Sequence, residues 1–411
     1  MRRLSVPKDR IRIVLLEDIH ASAAQEFQAS GYQNIETLPG SITDEQLTKA
    51  LAHAHIVGIR SRTQLRDHVL ASASKLFCVG CFCIGTNQVD LQAAKLLGIP
   101  VFNAPYSNTR SVAELVIGEI IMLLRRTPEK SALAHSGQWS KSTSGSQEVR
   151  GKNLGIVGYG HIGSQVSVLA EALGMRVFYY DIIEKLALGN AQPCTSLDEL
   201  LHIADVVTMH VPSTPATRNM IGEDQFVKMK PGAVFINAAR GDVIDIAALA
   251  KAIKTNALFG AAVDVFPSEP SNRNDRFTTP LQGLPNVILT PHVGGSTLEA
   301  QANIGKEVAQ KIIRYSDNGS TLGAVNFVEV SLPVQSGTTR FLHIHRNIPG
   351  VIANINRVFS ERQVNITAQY LRTEAEVGYV VSDIDGHLQQ GMGIRRSLQA
   401  IDGTIRTRFL F

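Results

Sequence analysis

Three charged residues, Arg240, Glu269 and His292, each lie just beyond the end of an apolar segment. The segments read Ala-Val-Phe-Ile-Asn, Gly-Ala-Ala-Val-Asp-Val-Phe and Val-Ile-Leu-Thr-Pro, which is typical of buried strands. In a doubly wound parallel sheet the carboxyl ends of the strands face one crevice, so we expect these side chains to converge there. An imidazole titrates near neutral pH, which suits His292 to remove a hydroxyl proton while an alcohol is oxidised by hydride transfer. Glu269 would orient the imidazole and raise its pKa, and Arg240 would bind a substrate carboxylate through its planar fork.

Taken singly, each of these residues has an ordinary structural interpretation. Arg240 could form a loop salt bridge, Glu269 could be a solvated surface residue, and His292 could be a histidine with satisfied hydrogen bonds. The joint arrangement favours the catalytic interpretation. His210 also ends an apolar segment and is an alternative base, but the Val-Pro pair that follows it is more typical of a wall of the cofactor pocket.

A glycine-rich turn with the spacing Gly-x-Gly-x-x-Gly, at Gly158, Gly160 and Gly163, follows the apolar segment Leu-Gly-Ile-Val. The first glycine allows the tight turn, the second lets the backbone approach a pyrophosphate, and the third lets the next helix pack closely on the strand. The N-terminus of that helix offers N–H donors to the phosphates. Asp181 ends the next apolar segment and would accept from ribose hydroxyls, which favours NAD, although Lys185 leaves NADP as an alternative. The pattern predicts a dinucleotide-binding domain.

Length and composition indicate two or three globular domains. The chain has 411 residues, of which 44% are hydrophobic, and a formal net charge of +4 without long basic runs. This charge balance gives no reason to expect nucleic acid or a membrane surface as a partner. The N-terminal residues contain no apolar stretch long enough for a signal peptide, and Glu119 interrupts the apolar helix between Leu115 and Leu124. We therefore expect a soluble cytoplasmic protein.

The four cysteines are Cys78, Cys81, Cys83 and Cys194. The first two have the C-x-x-C spacing that occurs in redox and zinc sites. No second cysteine pair or nearby histidine completes a tetrahedral zinc site, and the surrounding residues are typical of a buried strand and turn. We expect reduced, half-buried thiols and no metal.

Strand and helix signals alternate on both sides of the glycine-rich turn, so the nucleotide domain is not the first along the chain. A long amphipathic helix is expected from Ser111 to Pro128, and another over 297–315. From residue 339 the predicted order is β-α-β-β-α-β, which is the ferredoxin-like order. The strands predicted before residue 339 lie at 11–17, 35–37, 56–59, 76–79, 177–180, 206–210, 233–237, 260–265 and 287–289.

Several segments resemble the D-isomer-specific 2-hydroxyacid dehydrogenases. The resemblance is carried by residues 158–163, 229–245 and 290–296, and by the segments 81–90 and 103–115. With the C-terminal module it extends over essentially all 411 residues, and it is strongest to the bacterial members that open serine biosynthesis. It implies an α/β fold in which a doubly wound Rossmann-type nucleotide domain is inserted into a flavodoxin-like substrate domain, followed by a ferredoxin-like ACT domain. The implied boundaries are 1–107 and 297–335 for the substrate domain, 108–296 for the NAD-binding domain and 337–411 for the ACT domain.

The same resemblance implies NAD-dependent oxidation of D-3-phosphoglycerate to 3-phosphohydroxypyruvate, with Arg240, Glu269 and His292 in the roles given above. Reduction of 2-oxoglutarate to 2-hydroxyglutarate is expected as a side activity. Two alternatives are a dehydrogenase for another D-2-hydroxy acid and a non-catalytic, NAD-sensing co-repressor. The residues that the resemblance places around NAD are Gly158, Gly160, His161, Ile162, Gly163, Asp181, Ala238, Ala239, Arg240, Asp264, His292, Val293, Gly294 and Gly295.

A phosphorylated substrate needs a second cation besides Arg240. Arg60 and Arg62 follow the predicted strand at 56–59 and could bind the phosphate, with Arg60 preferred and with Ser61 and Asn108 as hydrogen-bonding neighbours. The alternative interpretation is that both arginines are solvated surface residues.

The resemblance also implies a homotetramer inhibited by L-serine, with serine bound between ACT domains by His345 and Asn347 of one chain and Asn365 of its neighbour. An asparagine side chain offers both a donor and an acceptor, as a zwitterionic amino acid requires. The chain has Ser336-Gly337 where relatives often have a glycine pair, and a glycine-rich segment over 386–393, so the strength of the serine effect is left open.

Overall fold

The computed structural model describes residues 6–40, 42–270, 275–333, 338–385 and 391–410. It separates into two compact units, one formed by residues 1–107 and 301–411 and the other by residues 108–300. Ser336-Gly337 and the first half of the glycine-rich segment 386–393 lie outside the described residues. Within the described ranges no helix is long and apolar enough to cross a membrane.

The first unit begins with a five-stranded parallel sheet in the order β2-β1-β3-β4-β5. Strands β1, β3, β4 and β5 are buried along their whole length, which explains their continuous apolar sequences. The fifth strand was not predicted, because three residues give too short a pattern. The elements are β1 Ile13–Leu16, α1 Ala21–Ala29, β2 Ile35–Leu38, α2 Asp44–Leu51, β3 Ile56–Ile59, α3 Asp67–Ser72, β4 Cys78–Cys81, α4 Leu91–Leu96 and β5 Val101–Asn103.

The second unit contains a seven-stranded parallel sheet in the order β12-β11-β10-β9-β6-β7-β8. The predicted helix from Ser111 to Pro128 is two helices, because Arg126 adopts a left-handed conformation with φ of 54° and ends the first of them. The elements are α5 Thr109–Arg125, α6 Thr127–His135, β6 Asn153–Val157, α7 His161–Ala172, β7 Arg176–Tyr180, β8 Gln192–Pro193, α8 Leu197–Ile203, β9 Val206–Met209, α9 Glu223–Lys228, β10 Ala233–Asn237, α10 Ile246–Lys254, β11 Leu258–Val263 and β12 Val287–Leu289.

Strand order reverses at β6, which lies between β7 and β9. In an open α/β sheet such a switch point creates a crevice at the carboxyl ends of the strands, where ligands bind. The glycine-rich turn leaves β6 at this end, and the segments carrying the three charged residues leave β10, β11 and β12 at the same end.

After the second unit the chain returns to the first through the long helix α11, Leu298–Asn318. The C-terminal module then forms an antiparallel sheet in the order β14-β15-β13-β16 with two helices. The observed order confirms the predicted β-α-β-β-α-β pattern. The elements are β13 Thr339–Arg346, α12 Val351–Glu361, β14 Ile366–Thr373, β15 Val377–Ile384, α13 Gly391–Gln399 and β16 Thr404–Leu410.

Residues on both faces of β13 in the C-terminal sheet pack within the first unit, whereas the edge strand β14 is largely exposed. Phe341 and Phe409 pack with α12 and α13 on one face. Leu342, Ile344 and Tyr379 belong instead to the core cluster that contains α11 and the first sheet. Burial of this second face stabilises the attachment of the module through the hydrophobic effect.

A buried ion pair reinforces the same attachment. The Arg340 guanidinium binds both carboxylate oxygens of Asp383 at 2.6 and 2.7 Å, and neither side chain is exposed to solvent. A further nitrogen of Arg340 donates to the carbonyl of Asn318, the last residue of α11, at 3.0 Å. The Tyr379 hydroxyl donates to the next carbonyl, that of Gly319, at 2.7 Å.

Candidate active site

The glycine-rich turn has the conformation that its spacing predicts. Gly158 has φ of 94°, and a Cβ atom there would lie 2.7 Å from the carbonyl oxygen of His210. A side chain at Gly163 would collide with the carbonyl of Gly158, so this glycine permits the close approach of α7 to β6. Gly160 has no neighbouring atom within 4 Å of where its Cβ would be, and α7 begins at the next residue. The turn therefore leaves open space in front of a helix N-terminus, which fits the pyrophosphate of a dinucleotide.

Asp181 lies directly after β7, where a ribose-binding carboxylate is expected. Its two oxygens accept from the backbone N–H groups of Tyr159, at 2.8 Å, and Ile183, at 3.0 Å. These bonds fix the carboxylate beside the glycine-rich turn. Because each carboxylate oxygen can accept more than one hydrogen bond, Asp181 retains capacity for ribose hydroxyls.

Asp264 organises the loop that carries His292. Its Oδ1 accepts from the Thr290 hydroxyl at 2.6 Å and from the Val293 N–H at 2.8 Å, and its Oδ2 accepts from the Gly294 N–H at 2.8 Å. Its backbone carbonyl accepts from the N–H of His292 at 2.8 Å. These bonds hold His292 in a left-handed conformation with φ of 55°, which is uncommon for a residue other than glycine.

Glu269 and His292 form the predicted pair. The Nδ1 atom of His292 lies 2.9 and 3.1 Å from the two carboxylate oxygens of Glu269, and the N–H of Phe266 donates to the same carboxylate at 3.2 Å. The hydrogen bond that His292 donates to Glu269 raises the pKa of His292 and outweighs the opposing effect of burial. Burial acts to raise the pKa of Glu269, but the hydrogen bond and charge of His292, the Phe266 N–H and the charge of Arg240 together lower it. With Nδ1 held by Glu269, Nε2 is the nitrogen that can exchange a proton with a substrate.

Arg240 lies immediately after β10 and its charge acts on the pKa values of both Glu269 and His292. One guanidinium nitrogen donates to the carbonyl of Ala239 at 2.7 Å, and the Asn237 side-chain amide donates to the carbonyl of Arg240 at 2.9 Å. These contacts anchor the residue while its other guanidinium nitrogens remain available to a carboxylate. The three predicted catalytic residues thus belong to one electrostatically coupled cluster.

A cavity of about 430 Å³ borders the Glu269–His292 pair. Its other walls include Phe266, Phe277 and Leu289. Pockets of this size, mostly apolar with a few convergent polar groups, are typical of small-molecule sites.

His210, the alternative base, is partly buried, and burial lowers its pKa to about 3. Its Nε2 lies 3.0 Å from the Thr208 hydroxyl, and its Nδ1 is buried without a partner among the described residues. An imidazole that resists protonation so strongly is a poor general base near neutral pH. His210 therefore fits the wall interpretation better than the catalytic one.

One buried acid in this unit was not singled out as a site residue. Glu119 of α5 is 1% exposed, and neither carboxylate oxygen has a partner among the described residues. Burial, followed by the negative charge of Asp264, raises its pKa to about 8. Burial therefore favours the protonated form of Glu119. The signal in the sequence was a glutamate on the apolar face of a helix.

The residues predicted for substrate phosphate follow β3 in the first unit. The Glu17 carboxylate accepts from the backbone N–H groups of Arg60, Arg62 and Thr63 at 3.2, 3.0 and 2.7 Å. This acid thus shapes the loop, a role that sequence reasoning missed. The Ser61 and Arg62 side chains are exposed and that of Arg60 is half-buried.

Asn108 belongs to the second unit, at the start of α5. Its Oδ1 is buried without a partner among the described residues.

The predicted effector residues differ in accessibility. His345 is 1% exposed, its Nδ1 lies 2.7 Å from the carbonyl of Arg346, and its Nε2 is buried without a partner among the described residues. Asn347 and Asn365 are exposed, and their amides donate to the Glu374 carbonyl and to Asp385, respectively. Asn365 directly precedes β14, the edge strand of the sheet.

The cysteines are free thiols. Cys78 and Cys81 are buried in β4, and burial raises the pKa of Cys81. Burial also raises the pKa values of Cys83 and Cys194 to about 11. Across the described ranges, no group of three or more His, Cys, Asp or Glu side chains could hold a metal ion.

NAD-dependent dehydrogenases are the class that this fold and site define, because a dinucleotide turn and a carboxylate-paired histidine lie at the same end of one doubly wound sheet. Residues 117–294 match the family model described as the NAD binding domain of D-isomer specific 2-hydroxyacid dehydrogenase. Residues 341–406 match the model of the AHAS small subunit-like ACT domain.

Curated relatives match over the full chain. The D-3-phosphoglycerate dehydrogenase of Escherichia coli strain K12 is 55% identical over 411 residues, which is 100% of both chains. The enzyme of the same name from Haemophilus influenzae is 54% identical and is covered to 99%. Among solved structures, D-lactate dehydrogenase from Aquifex aeolicus, complexed with NAD and lactic acid, is 27% identical with a TM-score of 0.63, covering 74% of this chain and 95% of that one.

The chain belongs to the D-isomer specific 2-hydroxyacid dehydrogenase family. It is an NAD-dependent oxidoreductase, and the predictions of fold class, enzyme class and cofactor are confirmed.

Proposed function

We propose that the enzyme oxidises D-3-phosphoglycerate to 3-phosphohydroxypyruvate in the cytoplasm, as the first step of L-serine biosynthesis. The observation that carries the proposal is full-length identity of 55% to a relative named for this substrate, combined with a Glu269–His292 pair at 2.9 Å. Steady-state oxidation of D-3-phosphoglycerate, compared with D-lactate and D-2-hydroxyglutarate, tests it. A preference for either unphosphorylated acid would refute it.

The residues of the site divide the chemistry among them. A bound NAD would supply the acceptor for the hydride that leaves C2 of the substrate. The Nε2 atom of His292 takes the hydroxyl proton, and Glu269 stabilises the imidazolium that results. Arg240 binds the substrate carboxylate and polarises the oxygen at C2 as it becomes a carbonyl. The donor set fits NAD because Asp181, which accepts from the Tyr159 N–H, lies beside the glycine-rich turn that leaves open space at Gly160.

His292→Ala should lower kcat by about 10²- to 10⁴-fold, the range for a positioned acid or base. NADH binding, followed by fluorescence, should be nearly unchanged. His53→Ala, which changes an exposed histidine of the first unit, is the matched control. Near-normal turnover of His292→Ala would remove this residue from the mechanism.

The substrate phosphate is assigned to Arg60 and Arg62, with Ser61 and Asn108 as hydrogen-bonding neighbours. Support comes from the loop itself, because Glu17 fixes the backbone of Arg60 and Arg62 while their guanidinium groups stay outside the apolar core. Arg60→Ala should weaken kcat/KM for D-3-phosphoglycerate far more than for reduction of 2-oxoglutarate, the proposed side activity. Equal losses on both substrates would show that Arg60 does not hold the phosphate.

Inhibition by L-serine, bound between ACT domains of a homotetramer, is the regulatory part of the proposal. The exposed edge strand β14 offers a surface for a second ACT sheet, and Asn365 stands at its start. The unpartnered Nε2 of His345 is a buried polar atom for which a ligand would supply a partner. Asn347 adds an exposed amide next to the same strand.

Asn365→Ala should raise the serine concentration for half inhibition at least tenfold, about 1.4 kcal/mol of binding, with little change in uninhibited turnover. A point variant is preferable to removal of the module, since truncation would remove Leu342 and Ile344 and expose the core that they cover. Serine inhibition that survives unchanged in Asn365→Ala would refute this assignment.

A further inference from the structure

A second cavity, of about 360 Å³, lies within the first unit and contains no residue of the candidate active site. One wall comes from His55 and from the segment between α3 and β4, and the other from α13 and the edge strand β16. The cavity is therefore shared between the first sheet and the C-terminal module. Its volume lies within the range of small-molecule sites.

The walls of this cavity carry four cations, Lys75, Arg395, Arg406 and Arg408, and no carboxylate. Within the described ranges, none of the four has a carboxylate oxygen within 4.0 Å. Lys75 is exposed and the three arginines are partly buried, so solvent screens their mutual repulsion only in part, and an anion bound among them would reduce it further. The lining is therefore electrostatically incomplete for a purely structural role.

Several donors along these walls have no acceptor among the described residues. They are the Nε of Arg395, the Nη1 of Arg408 and the hydroxyl of Thr407, all of them buried atoms. Thr407 as a whole is only 3% exposed. Buried polar atoms are nearly always hydrogen-bonded in native proteins, and an unpartnered group indicates a ligand, ion or water. Three such donors around one cavity indicate an acceptor-rich ligand.

Two of the cations are held in place by neighbouring groups. The Arg408 guanidinium lies 4.0 Å from the centre of the Phe77 ring and donates to the carbonyl of Ser316 at 3.1 Å. Arg406 donates to the carbonyl of Leu76 at 2.6 Å. A pre-positioned guanidinium loses little freedom when it binds a planar or tetrahedral oxyanion.

His55 adds a neutral donor. Its Nδ1 accepts from the backbone N–H of Arg12 at 3.1 Å, so the proton of the neutral ring is on Nε2. Burial, and then the charges of Lys75 and Arg408, lower the pKa of His55, which favours the neutral form of the ring. The cavity thus combines four positive charges with neutral N–H and O–H donors.

We propose that this cavity binds a compact oxyanion with two or more negative charges, and that the bound anion joins the loop before β4 to β16 and α13. Phosphate monoesters and small polycarboxylates share this chemistry, and both match guanidinium forks. Binding strengthens the attachment of the C-terminal module, because the anion removes the repulsion among cations contributed by both walls. The site is distinct from the one proposed for serine.

Lys75 and Arg395 are the side chains to change, because they line the cavity without the structural contacts of Arg406 and Arg408. Binding of radiolabelled inorganic phosphate to the full-length, NAD-saturated enzyme is measured by equilibrium dialysis. In Lys75→Gln/Arg395→Gln the affinity for one phosphate per chain should fall at least tenfold, and each single variant should show part of the loss. Lys306→Gln/Arg396→Gln is the matched control, since it removes two exposed cations of the same unit, and it should bind like the unmodified enzyme.

Unchanged phosphate binding in the cavity variant would overturn the proposal, and so would an equal loss in the control, which would indicate only general surface charge. Thermal unfolding without phosphate and turnover with D-3-phosphoglycerate verify that the variants are folded. If the double variant does not fold, phosphate binding is compared between the single variants and the unmodified enzyme. Glycerol phosphate and citrate then compete with the label. Displacement of the label by glycerol phosphate would assign a phosphate monoester as the ligand class, and displacement by citrate would assign a polycarboxylate. If neither compound displaces the label, the proposed ligand chemistry is overturned.

Discussion

Replacing Glu269 by glutamine perturbs the mechanism without removing the reacting base. The glutamine keeps the size of the side chain and one oxygen near the Nδ1 of His292, but it removes the negative charge that now lies 2.9 Å from that atom. During oxidation His292 gains a proton and becomes positive. The variant should therefore lose stabilisation of this imidazolium while the position of the ring is largely kept.

The expected decrease in kcat can be worked out from the hydrogen bond between His292 and Glu269. A hydrogen bond to a charged group contributes about 1.5 to 3 kcal/mol net. The side chains of His292 and Glu269 are 51% and 39% exposed, so solvent screening favours the lower end of that range. About 1.5 kcal/mol corresponds to roughly a tenfold decrease in kcat.

The pH dependence gives a sharper test. Glu269 raises the pKa of His292, so the glutamine variant should lower it. Oxidation requires neutral His292, so its rate falls at low pH as His292 becomes protonated. In the variant this acid limb of the pH profile should move to lower pH. Reduction requires protonated His292, so its rate falls at high pH as His292 loses the proton. The alkaline limb of that pH profile should also move to lower pH.

The measurement is kcat and kcat/KM against pH in both directions. Hydride transfer is identified with substrate deuterated at C2 for oxidation and with NADH deuterated at C4 for reduction. Glu299→Gln, which changes an exposed carboxylate of the second unit, is the control. Limbs that stay in place, or that move in opposite directions, would refute the role given to Glu269.

Three further outcomes are expected. Arg240→Lys keeps the charge but loses the bidentate fork, so kcat/KM should fall sharply, and a normal value in steady-state assays would show that charge alone suffices. Asp181→Ala removes repulsion of a 2'-phosphate, so the preference for NADH over NADPH should narrow, and an unchanged ratio of rates would contradict the ribose assignment. Asp383→Asn leaves the buried guanidinium of Arg340 unpaired, which should lower the stability by about 3 to 5 kcal/mol and accelerate hydrogen exchange at β13 and β15. The double variant Arg340→Met/Asp383→Leu should restore much of the protection against exchange. Protection retained in Asp383→Asn would show that the pair does not hold the module.

Much of the active site could be predicted because its residues obey local rules. The glycine spacing, the strand that precedes it and the acid at the end of β7 are consequences of one β-turn-α-β unit, and all are readable in sequence. Arg240, Glu269 and His292 could be grouped because parallel strands end on one side of a sheet. Their distances, and the support that Asp264 gives to His292, depend on hydrogen bonds between distant segments and required the structure.

The features that sequence could not supply depend on tertiary packing. The break at Arg126 divides an apolar pattern that is continuous in sequence. His345 is a polar residue in a strand, and only the packed sheet shows that it is 1% exposed. The pairing of Arg340 with Asp383 requires the register between β13 and β15, which sequence periodicity does not give. The basic cavity combines residues more than 300 positions apart in the chain.

Two arginines of the C-terminal sheet, Arg340 and Arg408, differ in how their positive charge is compensated. Arg340 is neutralised by Asp383, and its remaining nitrogen donates to carbonyls, so it needs no ligand. Arg408 has an aromatic face and one carbonyl, but its Nη1 is buried without a partner among the described residues. Arg408 is partly buried, and a guanidinium nitrogen that is buried without an acceptor opposes folding, whereas one paired with a carboxylate need not. The three other cations of the cavity add repulsion that weakens with each negative charge brought among them. An oxyanion in the cavity would therefore change the stability of the attachment between the first sheet and the C-terminal module, while the Arg340–Asp383 pair would hold that attachment whether or not the anion is bound.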